Sequence, residues 1–227
     1  MKTCIALGAT VILAASVAQG QVVIFDQIVD PPAGAGQASQ FFTSPNEAFS
    51  IGALDDFTVS GGLGQLTLIE TVAVGFGTAF VSLENVIDWT VQIYSSPTMA
   101  ATSLDGDVAS LTGLVAGLSA FGDFTLVTLD ISAANLDLAD GDYWLAVVPV
   151  NDFATNGQTG ILVSTINDGP GGDMNAMQAN PGGGFGFPDN LSEIEQNLAY
   201  RITAVPAPGA VALLGLAGLI GIRRRRA

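Results

Sequence analysis

Short apolar or alternating segments recur along the middle of the chain and are separated by clusters of Gly, Asn, Asp and Pro. Within residues 90–94, apolar Val91 and Ile93 alternate with polar neighbours, which is the period-two pattern of a half-buried strand. Residues 124–131 are apolar on both faces, as is typical of a central strand between two layers. The pattern predicts strands at residues 22–28, 38–42, 56–59, 64–76, 89–94, 124–131, 143–150, 160–166 and 199–204.

The spacing of these strands and the turn residues between them favour an all-β domain over residues 21–204, specifically an antiparallel β-sandwich or jelly roll. We expect helix only at the two ends of the chain and in one short turn near residues 191–196. Three segments between strands are expected to be long loops, which is where binding sites on such a domain usually lie. They are residues 95–103, 109–122 and the Gly- and Pro-rich 167–188.

The N-terminus has the layout of a secretory signal peptide. Lys2 supplies a positive start, residues 4–17 are apolar or small, and residues 18–20 fit the small-x-small cleavage pattern. We therefore predict a signal peptide over residues 1–20, with a retained anchor as the alternative. Because Cys4 is the chain's only cysteine, the processed protein would have neither a disulfide nor a thiol nucleophile.

The C-terminal segment, residues 205–227, consists of a Pro-rich hinge, an apolar run and a basic cluster. Apolar residues followed by arginines form a membrane stop, because the cationic cluster resists translocation. The apolar run 209–222 would form a short transmembrane helix of about 21 Å at 1.5 Å per residue, against a hydrocarbon core of about 30 Å. Such a marginal span suits a transient signal better than a durable anchor. The hinge is Val205, Pro206, Ala207 and Pro208, and the cluster is Arg223, Arg224, Arg225 and Arg226.

This tripartite segment resembles the C-terminal sorting signal of bacterial PEP-CTERM proteins, which is read by a membrane enzyme called an exosortase. The resemblance implies an exported protein of the cell envelope, outer surface or extracellular space, with an exosortase-type enzyme as a partner. Ala207 stands where the name-giving Glu of the signal would be. Two outcomes therefore stay open, namely cleavage of the tail or a weak C-terminal membrane anchor, and the body faces outward in both.

Three short motifs in the body are similar to those of secreted bacterial β-sandwich domains that often precede PEP-CTERM tails. They are Leu-Asp-Asp-Phe at residues 54–57, Asp-Leu-Ala-Asp-Gly-Asp-Tyr-Trp-Leu-Ala-Val at 137–147 and Asn-Leu-Ala-Tyr-Arg-Ile at 197–202. This resemblance implies the fold and the compartment. It implies no activity, because these domains belong to surface proteins of uncharacterised role.

The body is strongly acidic. All 21 Asp and Glu residues lie between Asp26 and Glu195, and Arg201 is the only basic residue among residues 21–204, so the charge of the body is 1 − 21 = −20. Phosphate backbones would repel such a surface, which excludes nucleic acid as a partner. An acidic, Lys-poor surface suits solubility outside the cell, salty surroundings or contact with divalent cations.

The chain contains no histidine, and this restricts catalysis more than any residue that is present. Ser-His-Asp and Cys-His arrangements are impossible, and His-bearing zinc or iron sites are excluded. A carboxylate pair for hydrolysis remains formally open, although two Trp and three Tyr offer few rings for a sugar substrate. We therefore predict no catalysis, and a carboxylate-dependent hydrolase ranks third among the functions.

Calcium is the one cofactor that the acidic turns suggest. Carboxylate and amide oxygens lie close together in Gly-containing turns, and calcium prefers such hard oxygen donors. The terminal Glu that an EF-hand loop requires is missing in each case. The simpler interpretation is that these side chains cap their own turns, and we favour it. The candidate ligands are Asp137, Asp140, Asp142, Asp168 and Asp173.

Carbohydrate is the second candidate ligand, since Trp89, Tyr94, Tyr143 and Trp144 offer rings for sugar stacking. Tyr143 and Trp144 are adjacent on a predicted strand and must point to opposite faces. Because the residues after Trp144 are apolar, we favour a place in the core for that ring. The sequence thus predicts an exported structural or interaction protein, associated with the membrane through its tail and with extracellular polysaccharide. A secreted carbohydrate- or calcium-binding module is the alternative.

Overall fold

The computed structural model describes residues 20–29, 34–166 and 176–206. Strands dominate these ranges, so the all-β fold predicted from the sequence is confirmed. The expectation of helix only at the two ends and near residues 191–196 is wrong for the body, where the described ranges contain short helical pieces elsewhere. They are α1 (Pro97–Ala100), α2 (Phe153–Asn156) and 3-10 turns at Glu47–Phe49, Leu83–Asn85, Ser132–Ala134 and Pro188–Asn190. The strands are β1 (Val22–Asp26), β2 (Gly36–Ala38), β3 (Phe41–Phe42), β4 (Gly52–Val59), β5 (Gln65–Phe76), β6 (Trp89–Tyr94), β7 (Ala109–Leu114), β8 (Ala116–Phe121), β9 (Phe124–Asp130), β10 (Gly141–Val147), β11 (Val150–Asn151), β12 (Gln158–Leu162), β13 (Met177–Ala179), β14 (Leu191–Glu193) and β15 (Tyr200–Val205).

Two antiparallel sheets carry most of the strands. The first sheet is built around the long strand β5: one edge of β5 pairs with β9, which pairs with β8. The other edge pairs with β15 along its first part and with β12 along its last part, and β1 and β2 flank these two strands. The second sheet has the order β14-β13-β4-β10-β6-β7. A separate parallel pair joins β3 to β11.

Side chains from both sheets form one hydrophobic cluster. The alternation seen in the sequence decides which residues enter it, because successive residues of a strand point to opposite faces. In β6, for example, Val91 and Ile93 are fully buried in this cluster. The largest fully buried members are Phe57, Ile93 and Leu145 from the second sheet, Phe25, Leu66, Ile69, Leu129 and Tyr200 from the first, and Ile131 just after β9.

Tyr200 links the two sheets through its hydroxyl group. The ring belongs to β15 of the first sheet, and its hydroxyl donates to the Ala53 carbonyl oxygen at 2.9 Å. The same hydroxyl accepts from the Val147 amide at 3.2 Å, so it contacts both β4 and β10 of the second sheet. Burial raises the pKa of the Tyr200 phenol, so the hydroxyl stays a neutral donor at physiological pH.

A second, smaller cluster covers the outer face of the second sheet. Residues 95–103, predicted to be a long loop, contain α1 and pack over this face rather than extending into solvent. Tyr94 is fully buried there, and its hydroxyl donates to the Leu104 carbonyl oxygen at 2.6 Å. Trp144 packs against this outer cluster while Tyr143 packs against the main core, so their predicted placement on opposite faces is confirmed.

Four local predictions are wrong, each because pairing with another strand overrides local composition. The expected loop 167–188 contains the strand β13, which pairs with β4. Residues 109–122 are not a loop: they form β7 and β8, edge strands of different sheets joined at the exposed Val115. The turn expected near residues 191–196 is the strand β14, which pairs with β13. The single strand expected at residues 38–42 is divided between β2 and β3.

The two targeting segments lie mostly outside the described residues. This holds for residues 1–19 of the predicted signal peptide and for Ala207, Pro208, the run 209–222 and the four arginines. Val205 ends β15 and Pro206 follows it. Within the described ranges, no helix combines the length and the apolar character needed to span a membrane.

Replacing Tyr200 with Phe should destabilise the protein by about 1–3 kcal/mol, because the change removes a buried hydroxyl that serves one carbonyl and one amide. Urea unfolding of the full chain measures the difference. Tyr143→Phe is the control, since its hydroxyl makes one hydrogen bond at the surface, to Ala139; that loss should cost less than about 0.5 kcal/mol. Equal losses in the two variants would contradict the role assigned to Tyr200.

Candidate binding pocket

Four phenylalanines and two side-chain amides surround a cavity of about 320 Å³ that opens at the surface. One ring, Phe42, is buried, whereas the other three are 40–44% exposed. Exposed large aromatic rings gathered around one concavity are unusual on a soluble surface and indicate a contact site. The lining residues are Phe42, Asn46, Phe49, Phe153, Gln158 and Phe185.

The four rings form two contacting pairs. The ring centroids of Phe42 and Phe153 are 5.9 Å apart at an interplanar angle of 47°. Those of Phe49 and Phe185 are 5.6 Å apart in an edge-to-face arrangement at 84°, and Phe187 stacks on Phe185 from a centroid distance of 5.9 Å. The edge-to-face arrangement of Phe49 and Phe185 is a preferred geometry for aromatic pairs, and in both pairs each ring restricts the movement of the other.

The parallel pair β3–β11 positions Phe42 and Phe153. Phe42 lies opposite Asn151 in this pair, and α2 begins two residues later at Phe153. The side chain of Asp152 caps α2 by accepting from the Thr155 amide at 3.0 Å. Phe153, the first residue of this short helix, therefore lies beside Phe42, the last residue of β3.

Buried amides hold the turn that leads from α2 into β12, where Gln158 begins the strand. Asn156 donates from Nδ2 to Asn151 Oδ1 at 3.0 Å and to the Ser82 carbonyl oxygen at 2.9 Å. Gln40 Oε1 accepts from the Thr159 amide at 2.8 Å. Because buried polar groups keep such hydrogen bonds, the position of Gln158 is set by the residues on either side of it.

Asn180 connects the other two phenylalanines. This side chain is fully buried and donates from Nδ2 to the carbonyl oxygens of Ala48 at 2.9 Å and Ser50 at 2.8 Å, on either side of Phe49. Its Oδ1 accepts from the Phe185 amide at 2.8 Å. A single amide side chain thus fixes both the 3-10 turn that carries Phe49 and the loop that carries Phe185.

Close backbone contact explains why this loop is rich in glycine. The Gly184 amide donates to the Ala48 carbonyl oxygen at 3.0 Å. A Cβ atom at Gly184 would lie 2.6 Å from that oxygen and 2.8 Å from Phe49 Cδ1, and a Cβ at Gly182 would lie 2.5 Å from the same oxygen. Only residues without a side chain fit here. The Gly-rich segment therefore forms a wall of the pocket.

The lining of the pocket is uncharged. In the described part of the chain the only basic residue is Arg201, and it forms ion pairs with Asp26 at 3.0 Å and Glu70 at 3.2 Å on neighbouring strands of the first sheet. An anionic ligand would therefore find no positive partner in the pocket. The side-chain amides of Asn46 and Gln158 make no hydrogen bond with any of the described residues, so both stay available to a ligand.

The interpretation that the calcium candidates cap their own turns is wrong for Asp140 and Asp142, whose partners belong to β4 and the turn after it. Asp140 accepts from the amides of Gly61 at 3.1 Å and Gly62 at 3.2 Å, and Asp142 accepts from the Thr58 hydroxyl at 2.7 Å. Asp137 forms an isolated bridge with Gln65. Across residues 20–29, 34–166 and 176–206 no three acidic groups are arranged to hold a metal ion. Asp168 and Asp173 lie outside these ranges, and calcium binding stays a prediction.

The rings proposed from the sequence for sugar stacking are not those of the pocket. Trp89 and Tyr94 are buried, and Tyr143 and Trp144 pack against the two clusters. Sequence reasoning missed the four phenylalanines because they come from four separate elements with no common spacing. The one local signal was Phe185-Gly-Phe187, two rings placed in a Gly-rich segment that cannot form a core of its own.

The most strongly perturbed carboxyl group lies between the sheets and away from the pocket. Asp55 is 1% exposed, and burial raises its pKa to about 8, against the opposing effect of the hydrogen bond from the Leu198 amide. That bond is 2.6 Å long and joins β4 of the second sheet to the residues just before β15 of the first. A perturbed carboxyl group can mark an active site, but Asp55 does not line the pocket. The bond to Leu198 gives Asp55 a place in the contact between the sheets.

Comparison of the chain with known protein families, with curated proteins and with solved structures finds no match.

The Asp55 carboxyl should make the protein less stable as the pH rises from about 4 to 8. Its pKa is about 8 in the folded state against an ordinary value of 3.8, so folding retains a proton that the unfolded chain releases within this window. One such proton contributes up to about 1.4 kcal/mol per pH unit to the slope. Asp55→Asn should flatten the dependence of the unfolding free energy on pH between 5 and 8. The control is Asp123→Asn, at an exposed carboxyl in a hairpin turn; if Asp55→Asn keeps the slope of that control, the assignment is wrong.

Proposed function

We propose that this chain is an exported, non-catalytic binding protein of the cell surface or the extracellular matrix. The segments at the two ends support the location: a signal peptide at residues 1–20 and the PEP-CTERM-like residues 205–227, which an exosortase-type enzyme would recognise. We propose further that the body is a β-sandwich of the jelly-roll type. Two antiparallel sheets that share one hydrophobic cluster support this architecture.

The observation that carries the binding function is the pocket of four phenylalanines and two unused amides. Binding sites for small molecules are concave and mostly apolar, with a few polar groups that orient the ligand. The pocket has this composition, and hydrogen bonds from Asn180 and from the buried amides around α2 hold its walls in place. A preformed site loses little entropy when it binds its ligand.

The same pocket supports binding over catalysis. None of its lining side chains can act as a general acid, a general base or a nucleophile near neutral pH. A carboxylate-dependent hydrolase would need two carboxyl groups at one cavity. Two other cavities, both beside Phe124, each have one carboxylate in their lining, Asp123 in one and Glu84 in the other.

Deleting residues 205–227 should change where the protein is found. With the tail removed, we expect the body to accumulate in the medium in place of the cell envelope, because the apolar run and the arginines no longer hold it at the membrane. Fractionation of the producing cells followed by immunoblotting measures the distribution. Replacing the four C-terminal arginines with glutamine in the full-length chain tests separately whether the basic cluster keeps the protein at the membrane. An unchanged distribution in the deletion would remove the sorting function.

Phe153→Ala should weaken binding of the full chain to extracellular matrix isolated from the producing cells by about tenfold, since a stacked ring contributes about 1 kcal/mol or more to a contact. Co-sedimentation of the purified protein with the matrix measures this. Phe153 is 44% exposed, so the change should leave folding intact. Met99→Ala is the matched control, because Met99 is 41% exposed on α1 and lines no part of the pocket. Equal binding by the two variants would show that the pocket is not the contact site.

A further inference from the structure

We propose that the four-phenylalanine pocket binds one sugar unit of an uncharged polysaccharide. This inference rests on the proposed binding function and names its ligand class. It follows from three properties of the lining: the exposed aromatic rings, the two amides without partners among the described residues, and the absence of a charged side chain among the six lining residues.

The aromatic rings match the apolar part of a sugar. A pyranose ring has faces of C–H groups, and such faces pack on aromatic rings as other apolar surfaces do. Phe49, Phe153 and Phe185 are each about two-fifths exposed around the buried Phe42. Ligand pockets usually hold about 300–1,000 Å³, so a cavity of about 320 Å³ accommodates a ligand of one ring.

The two amides match the polar part of the same ligand. Each carboxamide has a donating NH₂ group and an accepting oxygen, and a sugar hydroxyl both donates and accepts. Asn46 precedes the 3-10 turn and Gln158 begins β12, so the amides come from different elements and lie in one lining. Neither amide is engaged by the described residues, which leaves all four of these polar groups for hydroxyls.

The charge and polarity of the lining favour this ligand over three other classes, namely an apolar side chain of a partner protein, a cationic ligand and an anionic sugar. An apolar side chain of a partner protein would leave both amides without partners, which costs free energy when they are buried. A cationic ligand would be paired best by a carboxylate, and the lining contains none. An anionic sugar would be repelled by a body with a charge of −20 and would meet no basic side chain in the lining. An uncharged, polyhydroxylated ring can pack on the four phenylalanines and form hydrogen bonds with both amides.

The experiment uses the full chain in a detergent without a sugar headgroup. Arrays of neutral and acidic glycans select a ligand, and isothermal titration then compares the wild type with three variants. Phe153→Ala removes a ring, Gln158→Leu removes an amide at nearly constant volume, and Met99→Ala is the control. We expect neutral glycans alone to bind, both pocket variants to weaken binding at least tenfold, and the affinity to change less than about twofold between 0.05 and 0.5 M NaCl.

Each other outcome overturns the proposal in a different way. Unchanged or tighter binding by Gln158→Leu means an apolar ligand. Affinity that falls steeply with salt means a cationic one. If no neutral glycan binds but binding to the matrix still depends on Phe153, the proposal of a sugar ligand is rejected and the pocket remains a binding site for another ligand. If Phe153→Ala also leaves matrix binding unchanged, the proposed function fails together with the sugar.

Discussion

The structure depends on the requirement that polar groups between two packed sheets find partners there. Tyr200 and Asp55 meet this requirement across the interface: the tyrosine hydroxyl serves the backbone of β4 and β10, and the aspartate accepts from the Leu198 amide. Each bond joins one sheet to the other at a defined position, which apolar contacts alone do not specify. Gln27 and Thr71 are exceptions beside Tyr200, since their side-chain polar atoms have no partners in the described residues.

The same requirement shapes the pocket. Asn151, Asn156 and Asn180 are buried amides, and satisfying their donors and acceptors brings the turns around them into fixed positions. The phenylalanines are carried on these turns, so rings that would otherwise lie on mobile surface loops are held around one cavity. Asn46 and Gln158 lie among these turns, and their side chains have no such partners within residues 20–29, 34–166 and 176–206. The contrast between engaged and free amides is the reason to assign the free ones to a ligand.

The sequence predicted strands most reliably where apolar residues alternate or run continuously, although β6, expected to be half-buried, is buried on both faces. Residues 89–94 alternate cleanly and form β6 over the same residues, and β1, β5, β9, β10 and β15 also lie within or close to their predicted ranges. The prediction failed at β7 and β8 although both segments alternate, because the small residues among them, such as Gly113 and Gly117, are also typical of loops. It failed again at β13 and β14, which are three residues each and too short to show alternation.

The sequence by itself determined the all-β class, the acidic body with its single arginine and the absence of histidine chemistry, because these follow from composition and from period-two alternation. Tertiary structure alone decided the pocket. Phe42, Phe49, Phe153 and Phe185 are up to 143 positions apart along the chain, and no local pattern relates them. They meet because a parallel strand pair, a capped helical turn and a glycine loop in contact with Ala48 bring them together. Contacts between residues distant in sequence depend on how the sheets fold onto each other, which alternation within single strands does not encode.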